Sequence, residues 1–193
     1  MSYLITGGNR GLGLELCNQL GGHGISRSTG YDITKNVNEI AELSLQHDIF
    51  INNAFDGPPQ EQWANFGQVN VLLAVYEKWK SANKSGWIIN IGSVGSKYIV
   101  APEPSFETYR TAKAALEFAS KQCTAAFKNN LVLFKTTLIT LDRLDTPLSR
   151  SRESWTGNGI SCSNVAEYIK FIANLSENTC VEETTFYVNF NAK

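Results

Sequence analysis

Histidines, paired cysteines, surplus charge and long apolar runs are all scarce in this 193-residue sequence, and each scarcity removes a class of function. Only two histidines occur, His23 and His47, and the four cysteines Cys17, Cys123, Cys162 and Cys180 stand far apart with no C-x-x-C among them. Structural zinc needs ligands at short, repeated spacings and a disulfide scaffold needs a denser cysteine framework, so no metal site and no disulfide set is expected. The formal net charge of -1 leaves no electrostatic footprint for nucleic acid or an anionic membrane. No apolar run approaches the roughly 20 residues of a bilayer span. The chain opens on a strand pattern rather than a basic, apolar, cleavable leader, so a cytoplasmic location is expected.

What the sequence does contain is an ordinary globular composition, 42% hydrophobic and 18% charged, long enough for residues 1–193 to form one domain with its own core. Short apolar runs alternate with amphipathic segments. Strands are expected near residues 2–6, 24–27, 48–54, 87–93, 131–138 and 185–188, and helices near 14–20, 37–45, 61–81, 108–127 and 165–175. Residues 140–161 read as irregular, with a polar, arginine-bearing centre. Strands alternating with helices imply an α/β fold, a doubly wound parallel sheet covered on both faces. In such sheets ligands bind at the carboxyl ends of the strands, where the first glycine turn, Asn53, Ser93 and Thr140 are expected to converge.

The first strand stops at Thr6-Gly7-Gly8-Asn9-Arg10-Gly11-Leu12-Gly13 before a helix begins. Strand, glycine-rich turn and helix together point free backbone N–H groups and a helix N-terminus at a phosphate, and a side chain in the turn would block the approach of a pyrophosphate. Where the second strand ends, an acidic residue would hydrogen-bond an adenosine ribose. Arg27 and Ser28 stand there instead, and a guanidinium with a hydroxyl suits a 2'-phosphate, favouring NADP over NAD.

A tyrosine and a lysine four apart share a helix face, and a cation beside a buried phenol lowers the phenol's pKa toward the range of acid/base work. Three pairs have this spacing: Tyr31/Lys35, Tyr76/Lys80 and Tyr109/Lys113. Spacing alone does not choose among them.

These pieces together resemble the short-chain dehydrogenase/reductase family over essentially the whole chain. Five matches in that family's order carry the resemblance: Thr6 through Gly13, Asp32-Ile33-Thr34, Asn52-Asn53-Ala54, Ile89-Asn90-Ile91-Gly92-Ser93, and Tyr109 through Lys113. They single out the third pair, because Tyr31 and Tyr76 have no strand-end serine ahead of them at a suitable distance. The resemblance implies a Rossmann fold and a set of roles. Tyr109 is the general acid/base, Lys113 lowers its pKa and binds the nicotinamide ribose, Ser93 orients the carbonyl, and Asn70 holds a water that relays protons to the lysine. For the cofactor it implies Gly7, Asn9, Arg10, Gly11, Leu12 and Gly13 at the phosphates and ribose, with Arg10 sharing the 2'-phosphate with Arg27. Asp32 and Ile33 are implied at the adenine, Asn53 and Ala54 at a ribose, and Thr146 at the nicotinamide carboxamide.

Several departures from the family pattern set further expectations. Only Ser28-Thr29-Gly30-Tyr31 separates the second strand from Asp32, so a helix is lost and the third strand is vestigial or absent. Phe55 replaces the glycine that usually follows Asn-Asn-Ala and narrows the adenosine side or the pocket. Sixteen positions separate Ser93 from Tyr109, so the loop with Pro102 and Pro104 bulges over the site. Leu141-Asp142 replaces the Pro-Gly after the sixth strand, and Tyr187-Val188-Asn189-Phe190 lacks the terminal glycines. Phe55, Val94, Tyr98, Leu141 and Trp155 are candidates for a pocket wall or for plain core.

The function expected is an NADP-preferring oxidoreductase, with NAD possible, acting on a small or medium carbonyl or alcohol compound. A homodimer or homotetramer is implied by the resemblance, through the 61–81 and 108–127 helices. The alternative is an NADP-binding regulatory or scaffold protein of the same fold without turnover. An epimerase or dehydratase of related fold is disfavoured, since little chain remains after the sixth strand to build a substrate domain.

Overall fold

The structure is a computed structural model that describes residues 1–55, 66–97, 107–153 and 155–189. Six strands form one sheet: β1 (Tyr3–Thr6), β2 (His23–Ile25), β3 (Ile49–Asn52), β4 (Gly86–Ser93), β5 (Phe134–Leu141) and β6 (Glu183–Phe186). Their order is β2-β1-β3-β4-β5-β6, and every neighbouring pair is parallel. The chain moves outward from β1 to one edge, crosses back to β3 and continues to the other edge. The crossover at β1 and β3 opens the crevice in which such sheets bind ligands.

Strand periodicity divides the core. Leu4, Phe50 and Ile88 point to one face, where they pack with Val71, Leu72, Val75, Trp79 and Leu116 of the helices there. Their neighbours Ile5, Ile51 and Ile89 point to the other face, against Leu12, Leu16, Val165 and Ile169. Successive side chains of a strand face opposite ways, so a strand buried on both faces must be apolar at consecutive positions. Helices α2 (Val37–Ser44), α3 (Gly67–Ser81) and α4 (Glu107–Lys128) cover the first face, and α1 (Gly11–Leu20) and α6 (Cys162–Ala173) the second. The four-residue α5 (Pro147–Arg150) lies in the excursion between β5 and α6. Among the described residues no helix is long and apolar enough to cross a membrane.

The missing third strand is confirmed. A short 3-10 turn, Arg27–Thr29, stands where a helix was expected to be lost, and β2 is the edge of the sheet. Several boundaries differ from the sequence reading, those of the fifth strand among them. The fifth strand starts at Phe134 rather than 131, because Leu131 and Leu133 stay exposed at 67% and 61% while everything from Phe134 onward is buried. It also runs to Leu141, where β6 continues the ladder opposite Leu138 through Leu141. Helix α3 begins at Gly67, and residues 61–65 lie outside the described part.

Candidate active site

The turn after β1 is closed to a side chain at Gly8 and Gly13. A Cβ on Gly13 would stand 2.1 Å from the Gly7 carbonyl oxygen, and one on Gly8 would stand 2.5 Å from Gly24 Cα. Gly7 itself has a φ of +74°, which favours glycine. The turn is fixed by Gly7 N–H donating to Ile25 O at 2.7 Å, and by Asn53 Nδ2 donating to Thr6 O at 2.9 Å. Thr6 Oγ1 accepts from the backbone N–H groups of Asn53 and Ala54, each at 2.9 Å. Asn53 and Ala54 are therefore held against the turn by Thr6.

Arg10 is the extended N-cap residue of α1 and uses no side-chain cap, so the first N–H groups of the helix have no side-chain acceptor from it. Leu12 is buried against the core. Asn9 Nδ2 donates to Ser28 Oγ at 3.4 Å, and the hydroxyls of Ser28 and Ser26 are 2.8 Å apart. Arg10 and Arg27 are both exposed, and neither is in an ion pair among the described residues. Asp32 spends its carboxylate on the backbone and hydroxyl of Thr34, at 2.9 and 2.7 Å, which holds its pKa below the ordinary value. The Ile33 side chain is buried in the core, leaving its backbone for any ligand contact.

These features fit a dinucleotide. A turn with no room for a Cβ at Gly8 or Gly13, a helix N-terminus without a side-chain cap and two exposed guanidinium groups outside any ion pair among the described residues suit a pyrophosphate and a further phosphate.

Ser93 ends β4 opposite Leu141, and Tyr109 and Lys113 lie on the first turns of α4. Helix α4 forms because Ala112, Leu116, Ser120, Cys123 and Thr124 recur at helical spacing as its buried stripe. A Cβ on Gly95 would meet Ser93 Oγ at 3.3 Å and Tyr109 Cε1 at 3.4 Å, so serine and tyrosine converge on one small residue. The Ser93 hydroxyl is also near enough to pull the Tyr109 pKa down. The Lys113 ammonium lies 5.8 Å from the Tyr109 ring centre. The decoy pair Tyr76/Lys80 has nearly the same ammonium-to-ring distance, 5.9 Å, yet Lys80 is exposed whereas Lys113 is 5% accessible. Tyr31 and Lys35 lie before α2, outside any helix.

The Tyr109 phenol is not lowered as expected. Burial raises its pKa above the ordinary value and outweighs the Ser93 hydroxyl and the Arg152 charge, both of which pull it down. The ring keeps some accessible surface, but its surroundings are dry. At neutral pH the phenol carries its proton.

Three further placements depart from the sequence reading. Asn70 is on the exposed side of α3, and Lys113 Nζ instead donates to Gln68 Oε1 at 2.7 Å and to Ile91 O at 3.0 Å. Thr146 uses its hydroxyl as the N-cap of α5, accepting from Ser149 N–H at 3.2 Å, and its methyl is what a Cβ on Gly11 would meet, at 3.6 Å. Thr140 stands at the carboxyl end of β5 opposite Gly92, yet it is fully buried, its hydroxyl donating to Glu183 Oε1 at 3.3 Å.

Phe55 turns its ring onto the catalytic candidates. It stands edge-on to Tyr109 with centres 5.0 Å apart, and the Lys113 ammonium lies 5.4 Å from its centre. The expected narrowing is therefore at the Tyr109 side. Leu141 and Val94 are core rather than pocket wall. Asp142 joins β5 to the C-terminal segment, its N–H on Phe186 O at 3.0 Å and its carboxylate accepting from Val188 N–H at 3.2 Å. Tyr98, the Pro102/Pro104 loop and Phe190 lie outside the described residues. Among the described residues no group of three or more His, Cys, Asp or Glu side chains could hold a metal.

No family model matches the sequence, and no curated protein does. Solved structures do match in fold. A short-chain dehydrogenase from Burkholderia cenocepacia in complex with NADP superposes with a TM-score of 0.72 at 22% identity, over 95% of this chain and 86% of that one. An alcohol dehydrogenase from Thermococcus sibiricus complexed with 5-hydroxy-NADP gives 0.69 at 18%, over 96% and 95%. A 3-ketoacyl-(acyl-carrier-protein) reductase from Brucella melitensis complexed with NADH gives 0.69 at 17%, over 95% and 96%. The fold is that of the short-chain dehydrogenases/reductases.

Proposed function

We propose that this chain is an NADP-preferring oxidoreductase that interconverts a small or medium carbonyl compound and its alcohol, with Tyr109 as general acid/base. The convergence of Ser93, Tyr109 and Lys113 beside a glycine turn closed to a side chain at Gly8 and Gly13 carries this reading. Structures of the same fold hold NADP, 5-hydroxy-NADP and NADH, which supports a nicotinamide dinucleotide here. Gly7, Asn9, Arg10, Gly11, Leu12, Gly13, Asn53 and Ala54 would hold it, with Ser28, Arg10 and Arg27 at the 2'-phosphate and the Asp32-Ile33 backbone at the adenine. When bound, it supplies or accepts the hydride.

The protein's part is position and proton transfer. Ser93 donates a hydrogen bond to the carbonyl oxygen and so opposes the charge that develops there. Tyr109, protonated at neutral pH, gives that oxygen its proton in reduction and takes it back from the alcohol in oxidation. The Lys113 cation favours the phenolate left behind. Phe55 restricts the space in front of Tyr109, which fits a small or medium substrate.

The test is NADPH oxidation followed by absorbance over a panel of carbonyl compounds. Turnover is expected, and Tyr109→Phe is expected to lower kcat by about 10²- to 10⁴-fold with NADPH binding kept. Tight NADPH binding with no turnover on any compound would instead favour a regulatory or scaffold role, and turnover indifferent to Tyr109→Phe would sink the mechanism.

A further inference from the structure

Lys113 is buried at 5% accessibility and Gln68 at 3%, and the contact between them, 2.7 Å from Nζ to Oε1, is part of a buried hydrogen-bond network. Gln68 Nε2 lies 2.7 Å from Asn52 O and 3.1 Å from Ile91 O. Carbonyl oxygens only accept, so the amide nitrogen must face them and Oε1 must face the ammonium. The backbone is locked the other way round, because Asn52 Nδ2 donates to Gln68 O at 2.8 Å as well as to Asn90 Oδ1 at 3.0 Å, and Asn90 Nδ2 donates to Ser120 Oγ at 2.9 Å. Gln68 can neither flip its amide nor shift along α3 without leaving buried polar groups unpaired, which is costly. Asn70 is two helical positions away, about 200° around the axis, and it is exposed.

We propose that Gln68, not Asn70, is the positioning residue that holds the Lys113 ammonium beside Tyr109. This role rests on the oxidoreductase reading for its effect on rate. A neutral carboxamide suits it because it accepts an ammonium proton without cancelling the charge that Tyr109 needs nearby. Among the described residues the charged groups set against Tyr109 are Lys113, from its own helix, and Arg152, from the segment after α5. Ser93, from the end of β4, adds a neutral hydroxyl that pulls the phenol's pKa down. A carboxylate at position 68 would add an opposing charge next to Lys113 and in front of two carbonyl oxygens.

The experiment compares the intact protein with Gln68→Met, Gln68→Glu and Asn70→Ala by two readouts. The first needs no turnover: the nitrogen-15 NMR signal of the Lys113 ammonium, assigned by its loss in a Lys113→Met variant. A clamped ammonium exchanges its protons slowly with water. The signal is expected in the intact protein and in Asn70→Ala, and is expected to vanish by fast exchange in Gln68→Met. The second is the pH profile of alcohol oxidation. Both Gln68 variants are expected to lower kcat about 10- to 100-fold, the usual effect of removing an orienting partner. They are also expected to move the rising limb to higher pH, since the phenolate loses its neighbouring charge. If Gln68→Glu does not fold, Gln68→Met carries the comparison.

A Lys113 signal unchanged in Gln68→Met overturns the proposal, and so does an unshifted limb with kcat within about twofold of the intact protein. Loss of signal and rate in Asn70→Ala, with Gln68→Met unaffected, returns the role to Asn70. If the intact protein shows the slow ammonium, loses it in Gln68→Met and turns over nothing, the clamp stands and the oxidoreductase reading fails.

Discussion

Arg27 is exposed at the end of β2, next to the 2.8 Å pair of Ser26 and Ser28 hydroxyls, and no carboxylate among the described residues neutralises it through an ion pair. A 2'-phosphate there would gain charge-assisted hydrogen bonds worth about 1.5–3 kcal/mol each. Arg27→Ala is therefore expected to weaken NADPH binding by about tenfold or more and to leave NADH binding within about twofold, as read by titration calorimetry. A cofactor preference that survives the change would remove Arg27 from the site. At the same scale, the proton on Tyr109 is a balance, with burial raising its pKa and Ser93 and Arg152 opposing it. The sequence spacing revealed the pair but not this balance, because the degree of burial is set by Phe55 and the packing around it, not by residues 109 to 113.

Among the elements, β5 shows how a polar strand can be buried. Lys135, Thr136, Thr137 and Thr140 are all buried on it, and most of their polar atoms find partners. Trp87 Nε1 donates to Thr137 Oγ1 at 2.8 Å, and Thr137 Oγ1 in turn donates to Val181 O at 2.5 Å. Lys135 Nζ donates to the carbonyls of Thr179 at 3.1 Å and Ser176 at 3.3 Å and sits 3.8 Å from the Trp87 ring centre, pinning the connection between α6 and β6. Burial holds its pKa below the ordinary 10.5. In the window between the folded pKa and 10.5 the unfolded chain binds the extra proton, so stability rises with pH there and is lost as pH falls through it. Relative to Lys135→Met, the intact protein is expected to gain stability as pH is raised from neutral toward 10.5, measured by urea unfolding at several pH values. A gap that does not change with pH would show that the ammonium is not dehydrated.

At the scale of the molecule, losing a helix and a strand after β2 leaves a sheet edged by a strand of only three residues. The short edge offers few unpaired backbone groups to other chains. Exposed apolar residues include Phe118 on α4, at 67%, beside Glu117 and Lys121, and Leu73 on α3, at 46%. We expect a homodimer or homotetramer formed through α3 and α4. Phe118→Glu is expected to lower the oligomeric state in sedimentation equilibrium and to leave the fold intact by circular dichroism. A chain that is monomeric before the substitution refutes this expectation.

The local features were legible in the sequence because each depends on a few consecutive residues: the glycine turn that excludes a Cβ at Gly13, the doubly apolar strands, the Tyr109 helix and the shortened link after β2. Their order along the chain was enough to imply the parallel sheet. Which residue of α3 meets Lys113 was not legible. A helix repeats about every 3.6 residues, so its phase depends on where it starts. The start of α3 is set by the reciprocal hydrogen bonds of Gln68 with Asn52, a residue 16 positions earlier that only the folded sheet brings alongside. Thr140 and Phe55 were decided in the same way, by contacts with β6 and Tyr109 that exist only once the chain has closed.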